Sequence, residues 1–314
     1  MSSNDGIRRL FSCMEVLGLA AGIGAAALPI TRGFAASPPV ASRPIPRSGE
    51  RLPVIGLGTA IVFDVGSDAA KRSERSAVIR TMIEGGARLI DTALSYGTAE
   101  DVLGDLLSAM GWRERIFLAT KVRVTGPDAT VAEMRRSLER LRTGRVDLVQ
   151  LHNVREASAD LRVLREWRDK GFARYIGITS SQPNTYDNLA EVVRREKPEF
   201  LQIAYSMSER SAEQRLLPIA AETGTAVLTA LPFGRGRLFS AVRGKPLPEW
   251  AAEFEATSWA QFFLKYLLAN EAVTCVIPGT DKVEYMTDNL NAGRGRLPDP
   301  ALRKRMVDFW DSLA

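Results

Sequence analysis

The chain has 314 residues, 45% of them hydrophobic and 25% charged, with a formal net charge of +5. That length holds one large α/β domain or two small ones, and the composition excludes disorder, collagen and coiled coil. Basic residues are interleaved with acidic ones, as in Arg135, Arg136, Glu139 and Arg140, which reads as solvated helix faces and excludes a nucleic-acid-binding stripe.

Residues 1–36 differ from the rest. Arg8-Arg9-Leu10-Phe11 precedes an Ala/Gly-rich apolar stretch, Val16–Ile30, and small residues follow at Gly33, Ala35 and Ala36. This is the order of an export signal. The twin arginines and Phe11 resemble a twin-arginine (Tat) signal, which implies passage through the Tat translocase to a periplasmic or secreted location. The apolar stretch is short for a membrane span, so the chain is expected to keep no stable span once the signal is cleaved. Residues 37–49 read as a Pro/Ser-rich linker without regular structure. Of the two cysteines, Cys13 lies in the leader and Cys275 in an apolar run, so leader removal leaves no intramolecular disulfide.

From residue 50 to 314 strands and helices alternate. Val54–Gly58 reads as a strand. Residues 68–85 show helical periodicity and stop at Gly85-Gly86. Strand Arg88–Ile90, helix Ala99–Met110, strand Ile116–Lys121, helix Thr130–Leu141 and strand Val146–Leu151 follow. Next come helix Ala159–Asp169, strand Tyr175–Thr179, helix Tyr186–Arg195, strand Phe200–Tyr205, helix Ala212–Glu222 and strand Ala226–Ala230. After a longer segment, 231–256, come helix Ser258–Ala269, strand Val273–Ile277, helix Val283–Asn291 and a last helix over 300–312. Eight strands alternating with helices predict a parallel sheet, and a (β/α)₈ TIM barrel in particular. The rival is an open doubly wound sheet, but Gly56-Leu57-Gly58 is followed by Ile61 where the dinucleotide fingerprint needs glycine.

Asp91, Lys121 and His152 lie 30 and 31 residues apart, each just past a short apolar run, Arg88–Ile90, Ile116–Thr120 and Val146–Leu151. A βα repeat takes about 30 residues, so the three side chains fall on neighbouring strand ends of the rim where barrel active sites form. Tyr96 is in the loop after the second strand. A phenol passes a proton readily near neutral pH only when a nearby cation stabilises its phenolate. Lys121 supplies that cation, Asp91 keeps it charged, and a neutral His152 can donate a hydrogen bond to a carbonyl. A single histidine leaves too few ligands of the usual kind for a metal hydrolase.

These residues resemble the aldo-keto reductase superfamily over about 50–312. The matching stretches are Gly56–Thr59, Asp91-Thr92-Ala93 with Tyr96-Gly97, Thr120-Lys121-Val122, Leu151-His152, Gly177–Ser180, Gln202–Tyr205, and Ile277–Thr280 with Asn289. The resemblance implies an oxidoreductase that binds NADP(H) without a Rossmann domain and reduces an aldehyde or ketone, or runs the reverse alcohol oxidation. It implies Tyr96 as general acid/base, tuned by Lys121 and Asp91, with His152 orienting the carbonyl. It implies that Thr179, Ser180 and Gln202 hold the nicotinamide carboxamide. Pro278, Gly279, Thr280, Lys282 and Asn289 would hold the adenosine phosphate. Three positions depart from the pattern: Ser180 stands for Asn, Ala230 for a stacking Tyr, and Tyr285 for a phosphate-clamping Arg. NAD(H) therefore stays open as cofactor. A second function also stays open, an NADP(H)-binding sensor or regulatory subunit with little turnover. Phe63, Phe239 and Trp250 are the aromatic candidates for the substrate pocket.

Overall fold

The computed structural model describes residues 38–123, 126–155 and 161–313. The leader expectation for 1–36 lies outside the described residues. The first described element is one the sequence hides. Strand β1 (Ser42–Pro44) pairs antiparallel with β2 (Arg51–Pro53), so the segment expected to be an unstructured linker is one arm of a hairpin. Both flanking prolines sit at strand ends, where a missing N–H costs no ladder bond. Ile45 and Leu52 are fully buried and pack with Phe117, Tyr175 and Phe200 inside the base of the barrel. Arg43 fastens the hairpin by donating to the carbonyls of Asn270 (2.8 Å), Leu268 and Val273. Charged hydrogen bonds of this kind contribute about 1.5–3 kcal/mol each when made. Arg43→Ala should therefore lower the melting temperature by several degrees while leaving activity per folded molecule unchanged; an unaltered melting curve would mean the strap carries no load.

Eight parallel strands follow in sequential order: β3 (Leu57–Gly58), β4 (Leu89–Asp91), β5 (Phe117–Val122), β6 (Val146–Leu151), β7 (Ala173–Ser180), β8 (Phe200–Ala204), β9 (Ala226–Ala230) and β10 (Val273–Val276). The ends of this sheet meet through parallel bridges Ile55↔Val276 and Gly58↔Gly279, closing the barrel. Closure is tight, since a Cβ on Gly58 would lie 2.9 Å from the Ile277 carbonyl oxygen. The helices are α1 (Ala69–Glu84), α2 (Ala99–Met110), α3 (Pro127–Arg140), α4 (Arg162–Asp169), α5 (Tyr186–Glu196), α6 (Leu216–Thr223), α7 (Arg237–Ala241), α8 (Trp259–Leu268), α9 (Val283–Ala292) and α10 (Pro300–Asp311). The long segment 231–256 contains α7 and a 3₁₀ turn, Glu249–Phe254. Helix α3 begins three residues before the periodicity does, because Pro127 suits a first helical turn.

Side chains alternate across a strand, so every second residue points into the barrel. On β5 that places Phe117, Ala119 and Lys121 inside, and on β8 Phe200 and Gln202. The interior is apolar at the base and turns polar at the C-terminal rim. Asp91, Lys121, Gln150 and Gln202 form that upper layer, all buried.

Candidate active site

The polar layer is the floor of a cavity of about 1230 Å³ that opens between the βα loops. Asp91, Lys121 and His152, predicted from spacing, and Tyr96, predicted from its place in the loop after the second strand, all line it. Asp91 ends β4, Lys121 lies in β5, and His152 follows β6 directly. Lys121 Nζ donates to Asp91 Oδ2 at 2.6 Å and to the Thr92 carbonyl at 2.8 Å. The Lys121 ammonium is 4.9 Å from the Tyr96 ring centroid, and the rings of Tyr96 and His152 meet edge to face at 5.9 Å.

The charges are set by burial and pairing. Burial alone lowers the Lys121 ammonium, but the Asp91 carboxylate and the Tyr96 phenol outweigh it and hold the lysine above its ordinary range. Burial pushes the Asp91 carboxyl up, against the pull of Lys121, Gln202 and Gln150. Those three groups all present N–H donors, which suits a carboxylate, so the pair is ionic. Burial, with the positive charges of Lys121 and Arg123, brings His152 down from 6.5 to about 4. The imidazole is therefore neutral through the physiological range.

The lowered histidine has a measurable consequence. Unfolded, His152 takes a proton near pH 6.5; folded, it does so only near 4. Stability that is complete above pH 6.5 is therefore lost as the pH falls toward 4, because the unfolded state binds the extra proton. His152→Gln should lose less melting temperature than the wild type between pH 7 and pH 4. Melting curves that fall in parallel would show that His152 titrates normally.

Around the floor, Thr179, Ser180 and Gln202 line the cavity on β7 and β8. Their hydrogen-bonding capacity is partly used. Thr179 Oγ1 accepts from the Asn153 N–H at 3.0 Å. The Ser180 hydroxyl is 2.7 Å from Thr185 Oγ1 and accepts from the Gln182 N–H. Of the residues predicted on the loop after β10, Gly279 and Asn289 line the cavity, whereas Pro278, Thr280 and Lys282 do not. Thr280 Oγ1 accepts from Asn289 Nδ2 at 3.0 Å and so shapes the loop, and Lys282 lies 5.5 Å from the Tyr285 ring centroid.

Several wall residues escaped the sequence reading. Arg235 lines the cavity with φ +57° between Gly234 and Gly236, and among the described residues its guanidinium has no carboxylate partner. The Gly-Arg-Gly run was the available signal. Trp259 was missed as well; it forms aromatic wall together with Phe239, which the sequence reading had named for the pocket. Phe63 is fully buried and Trp250 packs among Phe254, Phe262 and Phe309, so neither of these two predicted pocket aromatics reaches the cavity. The loop after β3 is pinned on both sides. Asp64 accepts from the Thr98 N–H at 2.9 Å, and Arg75 donates to the carbonyls of Val62 (2.6 Å) and Asp281 (2.8 Å). Among the described residues, no three His, Cys, Asp or Glu side chains are grouped to hold a metal ion, and no helix is long and apolar enough to cross a membrane.

Residues 54–304 match the Aldo/keto reductase family. The uncharacterised oxidoreductase YqkF of Bacillus subtilis is 26% identical over 286 residues, covering 77% of this chain and 87% of the relative. Methylglyoxal reductase YeaE of Escherichia coli is 28% identical over 245 residues, covering 76% and 84%. Among solved structures, an aldo/keto reductase of Klebsiella pneumoniae in complex with NADP and acetate superposes with a TM-score of 0.70 at 25% identity, covering 82% of this chain and 93% of that one.

Proposed function

Since the chain belongs to the Aldo/keto reductase family, we propose that it is an NADP(H)-dependent oxidoreductase in which Tyr96 passes a proton to or from a carbonyl oxygen. The observation that carries this reading is the buried 2.6 Å Lys121–Asp91 pair beneath Tyr96 on a cavity wall. The cavity fits a nucleotide together with a substrate. At about 1230 Å³ it exceeds the roughly 300–1,000 Å³ usual for one small ligand. Arg235, whose guanidinium has no carboxylate partner among the described residues, lines the cavity and suits a phosphate. The start of α9 carries no side-chain cap, which leaves N–H groups suited to an anion. Gln202, Thr179 and Ser180 would hold the nicotinamide end; Gly279, Asn289 and Lys282 would hold the adenosine end, on a loop shaped by Pro278 and Thr280. When bound, NADP(H) supplies or takes the hydride.

The chain's own residues supply the rest. His152, neutral at physiological pH, donates a hydrogen bond that orients the carbonyl oxygen. Tyr96 gives that oxygen its proton in reduction and takes it back in oxidation. Lys121 stabilises the phenolate as it forms, and Asp91 keeps the lysine charged and in place. Trp259 and Phe239 give the substrate an apolar wall. The assay is loss of absorbance at 340 nm with NADPH or NADH against a panel of aldehydes and ketones. No turnover with any of them, and none in the alcohol direction, would sink the reading.

The leader gives a separate proposal: Arg8-Arg9-Leu10-Phe11 and Val16–Ile30 direct the folded protein, with its nucleotide bound, through the Tat translocase to the periplasm or beyond. The test is cell fractionation of the wild type and of the Arg8→Lys/Arg9→Lys variant; wild type confined to the cytoplasm would refute it.

A further inference from the structure

Beneath the cavity floor lies a polar side chain outside the lining. Gln150, on β6, is fully buried and forms no part of the cavity wall. Its Nε2 donates to Gln202 Oε1 at 2.8 Å and stands 3.5 Å from Asp91 Oδ1. Gln202 Nε2 donates to Asp91 Oδ2 at 3.2 Å. A carboxylate only accepts, so Gln202 must turn its Nε2 toward Asp91. Its Oε1 is thereby fixed where Gln150 meets it. One N–H and one lone pair of Gln202 remain for the cavity.

Gln150 is costly where it is. Its own Oε1 has no hydrogen-bond partner among the described residues, and an unpaired buried amide oxygen lowers stability. Methionine would fill similar space without that oxygen. A local cost kept in a packed core points to a functional demand.

We propose that Gln150 is a positioning residue for the cofactor's nicotinamide end. It locks the Gln202 amide in one orientation, so that the free N–H and lone pair face a bound carboxamide. The inference rests on the NADP(H) reading of the cavity. It also ties the cofactor grip to the proton-transfer pair, because Asp91 serves both Lys121 and Gln202.

A double-mutant cycle on the full-length protein tests it, with NADPH dissociation constants measured by fluorescence titration. One well-made hydrogen bond corresponds to roughly a tenfold change in affinity. Gln150→Met should weaken NADPH binding about tenfold in the wild-type background. In the Gln202→Met background the same change should cost less than about twofold, since partners acting through one contact are not additive. Equal losses in both backgrounds, or no loss in either, overturn the proposal.

Gln150→Glu preserves shape and guards against misfolding. Its carboxylate cannot donate to Gln202 Oε1, whereas the protonated acid can. Asp91 and Lys121 face this position in both proteins, so the variant is read as a ratio to wild type at each pH. The ratio should show weak binding at pH 8 and recovery toward pH 6. A flat ratio overturns the proposal. Wild-type protein that binds no NADPH defeats the cofactor reading itself, whereas wild-type binding with an additive cycle defeats only the role of Gln150.

Discussion

Tyr96→Phe should reduce carbonyl turnover by about a thousandfold while leaving NADPH affinity within about twofold, the loss expected when a positioned general acid is removed. The ring stays, so its edge-to-face contact with His152 and its place 4.9 Å from the Lys121 ammonium can persist. What goes is the hydroxyl, the group proposed to exchange a proton with the substrate. Rapid-mixing measurement of the hydride step, beside nucleotide titration, separates chemistry from binding. Turnover that survives unchanged would remove Tyr96 from the mechanism. The same variant addresses the sensor reading, in which the wild type itself turns over little.

Lys121→Met should harm both activity and stability. Removing the ammonium strips the phenolate of its neighbouring cation, for an expected loss of at least a hundredfold in kcat. It also leaves Asp91 buried and unpaired. Breaking a buried ion pair by deleting one partner costs about 3–5 kcal/mol. Asp91 can shed part of that cost by taking a proton, so the variant should recover stability as the pH is lowered. Asp91→Asn on top of Lys121→Met should restore much of the stability and none of the activity. Denaturant unfolding of the single and double variants checks this; equal midpoints would show that the pair contributes nothing to the fold.

Spacing made much of this site legible. Asp91, Lys121 and His152 recur at the period of a βα unit, and parallel strands turn equal spacing into adjacency on one rim. Gln150 follows the same logic yet went unremarked. It sits at even parity with Leu148 in an apolar run, where glutamine looks like an ordinary exposed residue. Only the closed barrel shows that this parity points inward at Asp91. The hairpin was missed for the opposite reason. Pro44, Pro46 and the serines around them read as punctuation, while the residues that give the segment its place, Ile45 and Leu52, are two isolated apolar positions. Their burial depends on strands up to 230 residues away, and local pattern carries no trace of that. Of the three pocket aromatics only Phe239 reaches the cavity: position in a loop does not tell which way Phe63 or Trp250 turns.

The way the barrel closes also governs when it can form. Residues 54–58 bond to 276–279, and Arg43 holds carbonyls from Leu268 to Val273. The earlier of these segments must therefore wait for the later one to be made. Contacts this distant in sequence are slow to form, because the chain between them loses freedom before the bonds are made. A nascent chain halted before residue 268 would have two unsatisfied sheet edges and an unplugged base, a surface open to pairing with other chains. Commitment to the native state waits until β10 is available to pair, and until then the unfinished barrel is a natural client for chaperones.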